Sequence, residues 1–435
     1  MKHELRQFLK GILVMLLLAM KLLPCAAIGA YGAVDFTRLT NRNGLSNSQV
    51  NAIFKDQQGY VWFGTQSGLD RFDGFRMKAF LYDDGNPNSI PNNSVDEIQQ
   101  AIDGSLWIHT SVGYCIYQYD KERFDRKPED WLKNIGVDGP PYKLLIDSKK
   151  NMWMSVYGHG VYFVDVKNLT AFLFPFSKKK SSSSLPDYQV SCIREDNGQA
   201  VVTFDNGIIC KLDGYGQQVV WMDRFICDNK LSTDRSVFTF VDSKNNYWVN
   251  TNLGIYVYHQ ALKKWFVGAK SYLATFGMDV PAYQGTKVMI RDMAKDKQGH
   301  MWIATDHNGL IYLDYARKIC RQFVYNPTDK GSISDNSLPE LYVDDSDALW
   351  VGTYKNGVNY YSASSTKFYT IPLGDVCTIT QDLNGNLWCG TNDEGIVVYN
   401  PATGLSSHFH GAQTGLRSEV VVSSTTMKDG TLYFG

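Results

Sequence analysis

The chain has 435 residues, of which 44% are hydrophobic and 20% are charged, enough for a packed core and for more than one domain. Aromatic residues reach 13% and there are 37 glycines, a composition that together with many short apolar runs predicts all-β structure. The formal net charge is -1, so no basic field is present that would hold nucleic acid or an anionic membrane surface.

Residues 1–30 have the pattern of an export signal. A basic segment precedes the apolar run Gly11–Met20, and small residues suited to a peptidase follow it. The apolar run is short and Lys21 interrupts its continuation, which argues against a membrane span. We expect a cleaved signal peptide over 1–30, with an uncleaved anchor and a lipid attached at Cys25 as the alternatives.

One short pattern recurs along the rest of the chain and is clearest at Asp56–Leu69. It consists of Asp, a polar turn, a Trp between two apolar residues, a small residue, Thr, a loop and a Gly that begins another apolar run. A period of about 40 to 50 residues with one aromatic signature in each copy is typical of propeller blades. Eight copies stand 38 to 54 residues apart, and a ninth begins at Lys428; the eight are aligned on Trp62, Trp107, Trp153, Val202, Trp248, Trp302, Trp350 and Trp388.

Each copy predicts one blade of four antiparallel strands, and the Trp lies in the second strand. Neighbouring blades cover both faces of that strand, which explains why Val61 and Phe63 flank Trp62 instead of alternating with polar residues. A buried Trp hides about 150–250 Å² of surface, so the seven Trp residues are expected to be core and not binding groups. The small residue after the Trp is expected to leave room for the next blade, and the Thr to form a structural hydrogen bond.

The copies predict a seven-bladed β-propeller over 31–370, followed by the start of a second, truncated propeller over 371–435. The 38-residue spacing after Trp350 marks the boundary because it leaves only a short connection between blades. Phe36–Leu39 has no blade of its own and is expected to supply an outer strand that closes a propeller, either the first or a later one.

The cysteines are scattered singly, with no close-paired spacing that would indicate a metal site or a redox pair. We expect most of them to be small buried apolar side chains. Cys192 and Cys210 fall in one repeat, and a disulfide between them is the alternative if the compartment is oxidising.

Two segments between blades are more specific than the Trp pattern: Tyr82–Val95 (YDDGNPNSIPNNSV) and Tyr325–Leu338 (YNPTDKGSISDNSL). Together with Asn43–Val50, they make the chain resemble the two-component regulator propeller repeat family from about residue 36 to 435. The fourth copy departs from the pattern because Val202 stands in place of the Trp.

This resemblance implies the exported sensor region of a bacterial hybrid two-component system, on the periplasmic side of the inner membrane. In such proteins two seven-bladed propellers usually precede a membrane helix and a histidine kinase. Many of them respond to an oligosaccharide outside the cell and switch on genes for polysaccharide utilisation. We therefore expect an N-terminal part of a longer protein, with the kinase in the part that follows.

Catalysis, a metal and a cofactor are not expected in this chain. The Asp six residues before the Trp recurs in several copies, whereas a catalytic group should occur once. Hydrolysis of a glycoside needs two converging carboxylates, and no unique pair stands out. No metal-binding helix motif, nucleophile elbow or phosphate loop is present in the sequence. A glycosidase or sialidase-like propeller is the less favoured alternative.

Recognition is expected where loops that join strands two and three emerge beside loops that join blades. Tyr side chains stack on sugar rings, and polar side chains bind sugar hydroxyls. Solvated loop polarity is the alternative for each residue, and a dimerisation scaffold is the alternative for the chain, which we expect to form a homodimer. The candidate binding residues are Tyr157, His159, Asp306, His307, Tyr354 and Lys355, and the segment Asn392–Glu394.

Overall fold

The computed structural model of the protein describes residues 34–435 except 178–183, 279–287, 363–370, 372, 402, 404 and 412–414. The predicted signal peptide at 1–30 lies outside the described residues. Two compact units are present, one formed by Asp35–Ser365 and one that contains Thr366–Gly435. The limits of two propellers at 31–370 and 371–435 stay a prediction. In the described part of the chain, no helix has both the length and the apolar character needed to cross a membrane.

Antiparallel sheets of four strands build the unit Asp35–Ser365, beginning with β1 (Thr37–Leu39). Blades one to three consist of β2 (Val50–Lys55), β3 (Val61–Thr65), β4 (Gly68–Phe72), β5 (Met77–Phe80), β6 (Val95–Gln100), β7 (Leu106–Thr110), β8 (Gly113–Gln118), β9 (Arg123–Asp125), β10 (Pro141–Ile146), β11 (Met152–Val156), β12 (Gly160–Asp165) and β13 (Thr170–Pro175). Blades four and five consist of β14 (Val190–Asp196), β15 (Gln199–Phe204), β16 (Ile209–Asp213), β17 (Gln218–Asp223), β18 (Phe238–Val241), β19 (Tyr247–Thr251), β20 (Gly254–His259) and β21 (Lys264–Val267). Blades six and seven consist of β22 (Met289–Lys295), β23 (Met301–Asp306), β24 (Leu310–Asp314), β25 (Ile319–Phe323), β26 (Glu340–Val343), β27 (Leu349–Gly352) and β28 (Val358–Tyr361), with β1 as the outer strand of blade seven.

Short helices occupy the connections outside the sheets. The α-helices are α1 (Pro128–Asn134), α2 (Phe225–Asp228) and α3 (Ala269–Leu273). Single 3₁₀ turns cover Asn41–Asn43, Tyr119–Lys121 and Ala274–Phe276.

The innermost strands of these sheets form a closed ring. Each of β2, β6, β10, β14, β18 and β22 contacts the innermost strand of the following blade, and β26 of blade seven contacts β2 of blade one. The described residues of Asp35–Ser365 thus contain seven four-stranded sheets around one axis. This arrangement confirms the all-β propeller fold that the repeats predicted.

The first described strand, β1, closes the ring. Thr37 of β1 lies opposite Tyr360, and Leu39 lies opposite Val358, so β1 is paired with β28. The sequence left open which propeller this segment completes, and the structure places it in blade seven of the first unit. The last blade therefore contains strands from both ends of the unit, which ties the ring shut without an added covalent link.

An aspartate holds the turn between the first two strands and also binds the Trp of the second. In blade one, Oδ1 of Asp56 accepts the backbone N–H groups of Gln58 and Tyr60, which closes the turn. Its Oδ2 accepts the indole N–H of Trp62 at 2.6 Å. The same indole bond recurs over 2.9 to 3.2 Å for Trp153 with Asp147, Trp248 with Asp242, Trp350 with Asp344 and Trp388 with Asp382.

The same carboxylates also bind the following blade. Asp56 accepts the hydroxyl of Tyr119 from blade two. Asp242 accepts the hydroxyl of Tyr315 from blade six at 3.0 Å. Since each of these aspartates bonds its own turn and its own indole as well, one buried carboxylate links the hairpin, the core and the interface between blades.

Blade four keeps the aspartate although it lacks the Trp. Val202 occupies the position of the indole and is fully buried. Asp196 accepts instead the ammonium of Lys211 at 2.6 Å, and from blade five the hydroxyl of Tyr247 at 2.6 Å and the amide of Gln260 at 2.9 Å. The interface with blade five therefore survives the loss of the Trp.

The remaining residues of the pattern have structural parts as well. A Cβ added to Gly64 would stand 2.7 Å from Val95 of blade two, which shows why a small residue is needed beside the next blade. The Thr hydroxyl donates to the carbonyl of the Gly near the start of the third strand, over 2.6 to 3.3 Å, in Thr65, Thr110, Thr251, Thr305, Thr353 and Thr391.

The six Trp residues on which the copies of the first unit are aligned, Trp62, Trp107, Trp153, Trp248, Trp302 and Trp350, are buried, and Trp388 of the second unit is partly buried. Cys192 and Cys210 are both buried free thiols, so the alternative of a disulfide between them is wrong. Cys377 is exposed.

The second unit repeats the architecture of a blade. A four-stranded sheet contains β29 (Val376–Gln381), β30 (Leu387–Thr391), β31 (Ile396–Asn400) and β32 (Leu405–Phe409). A pair of strands follows, formed by β33 (Ser424–Thr426) and β34 (Leu432–Phe434). Strand β33 lies beside β29, where the hydroxyls of Thr378 and Ser424 are 2.7 Å apart.

Substitution of Asp56 by Ala should destabilise the protein by about 2–5 kcal/mol, because it leaves the buried indole of Trp62 and the hydroxyl of Tyr119 without an acceptor. Asp103 lies in the corresponding turn of blade two, is exposed and, among the described residues, accepts only from Ser105. Its substitution by Ala should cost less than about 1 kcal/mol. Urea unfolding of both variants measures the difference, and equal losses would contradict the role given to the indole bond.

Candidate functional site

Two rims bound the ring, and only one of them carries the connections between blades. We call it the upper rim; it holds these connections and the loops between strands two and three. Backbone hydrogen bonds join the two kinds of loop, as from Asp205 to Gln189 and from Tyr354 to Ser337. The lower rim holds the turns between strands one and two and between strands three and four.

The upper rim differs from the repeat in blades three and four. Six copies have a Thr that fastens the loop between strands two and three, but Val156 and Asp205 stand at this position in blades three and four. Asp205 also follows the strand that lacks its Trp. The sequence pattern thus breaks at two neighbouring loops on the same rim.

A pocket of about 330 Å³ lies at this break. We call it the tyrosine pocket. Its wall contains Tyr142 from β10, Ser155 and Tyr157 from the end of β11 and its loop, Tyr188 from the connection to blade four, Asp205 from the loop after β15, and Arg235 from the connection to blade five.

Three tyrosines give this pocket exposed aromatic surface. Tyr157 is 83% exposed, and Tyr142 and Tyr188 are 40% and 47% exposed. The hydroxyl of Tyr142 accepts the amide of Gln189 at 2.6 Å, which fixes that ring. Exposed aromatic rings beside hydrogen-bonding groups are suited to a ligand with one apolar face and a polar edge.

Two residues of the pocket wall each have a buried polar atom without a hydrogen-bond partner within the described chain. These atoms are Oγ of Ser155, whose residue is 3% exposed, and Oδ1 of Asp205. The other carboxylate oxygen of Asp205 is 3.6 Å from the guanidinium of Arg235, whose side chain is 79% exposed. Buried polar groups are bonded in most proteins, so unpartnered atoms at a cavity indicate where a ligand would bind.

The candidates from the sequence are divided among several places. Tyr157 lies in the tyrosine pocket, and His159, two residues later, is not among its described lining residues. Tyr142, Tyr188, Asp205 and Arg235 were missed by the sequence reasoning. The absence of Thr from positions 156 and 205 was the signal that could have found this region.

A second pocket of about 330 Å³ brings His307 and Lys355 together on the upper rim of blades six and seven, beside Asp335. Asp306 does not line it but pairs with Arg291 at 2.6 Å and with His307 at 2.7 Å. Burial acts to raise the pKa of Asp306. The pKa is nevertheless lowered, because Arg291 donates a hydrogen bond to this carboxylate.

The other candidates lie apart from these two pockets. Tyr354 is not among the described lining residues of either one, and its backbone N–H bonds Ser337. In the second unit, the backbone N–H groups of Asn392 and Glu394 bond Asp375 and Thr391.

Charged side chains also face the central channel, which encloses a cavity of about 490 Å³. Glu97, Asp292 and Glu340 come from blades two, six and seven, and Arg194 comes from blade four across the ring. The sequence reasoning missed this cluster, because its members lie between 48 and 243 residues apart. No group of three or more His, Cys, Asp or Glu among the described residues is arranged to hold a metal ion.

Burial changes the protonation of the channel carboxyls. It raises the pKa of Glu340 well above its usual range, and the charge of Asp292 adds to the rise. Burial also raises the pKa of Asp292, against the opposing charge of Arg194. These carboxyls therefore stay protonated to higher pH than they would in the unfolded chain.

Comparison with known proteins identifies the repeats. The family model described as two component regulator propeller matches residues 44–67 and 285–307, which contain Trp62 and Trp302. These two segments are similar to two-component regulator propeller repeats. The histidine kinase P4 of Formosa agariphila is 25% identical over 348 residues, which cover 75% of this chain and 24% of that protein.

Solved structures show the same propeller fold. The extracellular domain of a hybrid two-component system from B. thetaiotaomicron has a TM-score of 0.63 and 22% identity, covering 92% of this chain and 52% of that one. A second such domain from B. thetaiotaomicron has a TM-score of 0.55 and 17% identity, covering 92% and 51%. The chain thus spans about a quarter of the curated relative and about half of these structures.

The raised pKa of Glu340 predicts a pH-dependent stability. The folded protein holds a proton on Glu340 that the unfolded chain releases above its ordinary pKa, so stability falls as pH rises from there through the folded pKa. Glu340→Gln should therefore raise the unfolding temperature at about pH 8 and change it less at about pH 5.

Glu122 provides a matched control for this prediction. It is exposed, and the hydrogen bond from Lys78 lowers its pKa, so Glu122→Gln should not stabilise the protein at the higher pH. Thermal unfolding at both pH values measures the two variants. If Glu340→Gln has an unchanged or lower unfolding temperature at about pH 8, burial in the channel does not raise the pKa of Glu340 as described.

Proposed function

We propose that this chain is the exported sensor region of a two-component signalling protein and recognises an oligosaccharide on its upper rim. The repeats support this proposal, as does the likeness to a histidine kinase and to extracellular domains of two-component systems. The chain covers 24% of the curated relative, and in this proposal kinase activity belongs to a longer protein and recognition to this segment.

The tyrosine pocket is the observation on which the recognition part depends. It combines the exposed ring of Tyr157 with the unpartnered Oγ of Ser155 and Oδ1 of Asp205. A sugar ring has C–H groups on its faces and hydroxyls at its edge, so one ring can stack on a tyrosine and bond to both polar atoms. The location outside the cytoplasm follows from the same proposal, since such a ligand reaches an exported domain.

Signalling from this site requires that the ligand bind two states of the protein with different affinity. The pocket joins parts of blades three, four and five, and a ligand that bridges them adds contacts between blades. A dimer formed through the propeller or through a following segment would pass this change to a kinase. Oligosaccharide binding would then act by stabilising one arrangement of the sensor.

A thermal-shift screen of the exported chain against oligosaccharides tests the proposal. A ligand present at about 100 times its Kd should stabilise the protein by about 2.7 kcal/mol. Tyr157→Ala should weaken binding of that ligand about tenfold, because it removes the stacking surface. Phe75→Ala is the matched control, since Phe75 is 91% exposed but lies in a turn of the lower rim.

Three outcomes would oppose the proposal. If no oligosaccharide changes the unfolding temperature while the chain self-associates, the propeller is a scaffold for dimerisation. If Phe75→Ala weakens binding as much as Tyr157→Ala, the ligand does not depend on the upper rim. If the chain hydrolyses an oligosaccharide, it is an enzyme and not a sensor region alone.

A further inference from the structure

Resting on the sugar recognition proposed above, we propose that the tyrosine pocket selects uncharged oligosaccharides and discriminates against those with carboxylate or sulfate groups. The selection comes from the two unpartnered atoms, Oγ of Ser155 and Oδ1 of Asp205, and from the charges beside them. Asp205 departs from the repeat, since six other copies have a Thr at its position, and Ser155 has a hydroxyl that bonds no described residue.

Ser155 carries a hydroxyl that the blade itself does not use. The position two residues after the Trp varies among the blades of the first unit, which have there Gly64, His109, Ser155, Phe204, Asn250, Ala304 and Gly352. The polar side chains of blades two and five have partners, since His109 lies 3.7 Å from Asp96 and Asn250 accepts the backbone N–H of Ile290. Oγ of Ser155 is buried and has no partner within the described chain, so its hydroxyl is assigned to a bound ligand.

Asp205 replaces the Thr that fastens the loop in six other copies. An ionised carboxylate only accepts hydrogen bonds, so Asp205 cannot donate to a carbonyl as those threonines do. Its Oδ1 is buried and lacks a donor within the described chain, while its Oδ2 faces Arg235 at 3.6 Å. The pocket therefore requires a ligand with an O–H or N–H donor. A carboxylate or sulfate group offers oxygen acceptors at this point and would leave Asp205 unsatisfied.

The charges of the described pocket wall favour the same class of ligand. Asp187 and Asp205 contribute two negative charges, and Arg235 contributes one positive charge. Arg235 is already paired with Asp205, so an incoming anion would meet the carboxylate of Asp187, which has no ion pair within the described chain. Like charges brought together in a partly dehydrated pocket oppose binding. A ligand with hydroxyls and no charge avoids this repulsion and provides the donors that the pocket lacks.

Matched pairs of oligosaccharides test the selectivity. Galactan oligosaccharides with and without sulfate, and xylan oligosaccharides with and without a uronic acid branch, differ in charge on a common backbone. Calorimetric titration of the exported chain should give at least about tenfold weaker binding for the charged member of whichever pair binds.

Two substitutions test whether the selectivity depends on the side chains of Ser155 and Asp205. Ser155→Ala should weaken binding of the uncharged sugar about tenfold without lowering the unfolding temperature, because no bond of the free protein is lost and Ala304 occupies the same position in blade six. Asp205→Asn keeps the shape of the side chain but replaces a carboxylate by an amide. It should weaken binding of the uncharged sugar about tenfold and reduce the difference between the two members of the pair.

The outcomes separate this inference from the function on which it rests. Tighter binding of the charged member, or full affinity in both Ser155→Ala and Asp205→Asn, would overturn the selectivity while oligosaccharide recognition stands. If no oligosaccharide gives a heat of binding or a change in unfolding temperature, the proposed recognition of oligosaccharides is itself wrong. A loss of affinity in Ser155→Ala at an unchanged unfolding temperature supports the assignment of the hydroxyl to the ligand.

Discussion

In four of the seven blades of the first unit, a buried aspartate accepts the indole N–H of a Trp six residues later. Asp56 shows the arrangement in full, because its carboxylate closes the turn, accepts the N–H of Trp62 and accepts the hydroxyl of Tyr119 from the next blade. Such a carboxylate is stable inside the protein only when its lone pairs are satisfied, so the turn, the indole and the next blade depend on one another. The ring itself is closed by strand pairing, because β1 joins β28 of the last blade.

The aspartate turns stabilise the blades from the lower rim, so residues of the upper-rim loops can differ between blades. The aspartate turns lie on the lower rim, while a Thr fastens most of the loops on the upper rim. Blades three and four lack this Thr, and blade four lacks the Trp as well, yet Asp196 keeps its bond to Tyr247 of blade five. The repeat can therefore lose residues here without losing the contact between blades. The tyrosine pocket occupies the position where the structural requirement is weakest.

The fold could be predicted from the sequence because the same pattern of residues occurs in many copies, and each copy predicts the same blade. The copies of the Trp pattern predicted the four-stranded blades, and the unpaired segment before Val50 predicted a closing strand. The bond from Asp56 to Trp62 was not predicted, since spacing alone does not show that two side chains meet inside the core. Most of the pocket was also missed. Tyr142, Tyr188 and Arg235 come from an inner strand and two connections, and only the curvature of the ring brings them together.

A crystal structure of the chain with an uncharged oligosaccharide that stabilises it would test whether the upper rim of blades three and four binds such a sugar. We expect a sugar ring stacked on Tyr157, with hydroxyls within hydrogen-bond distance of Oγ of Ser155 and Oδ1 of Asp205. The proposed site is wrong if the oligosaccharide lies in the central channel or on the lower rim while the tyrosine pocket is empty.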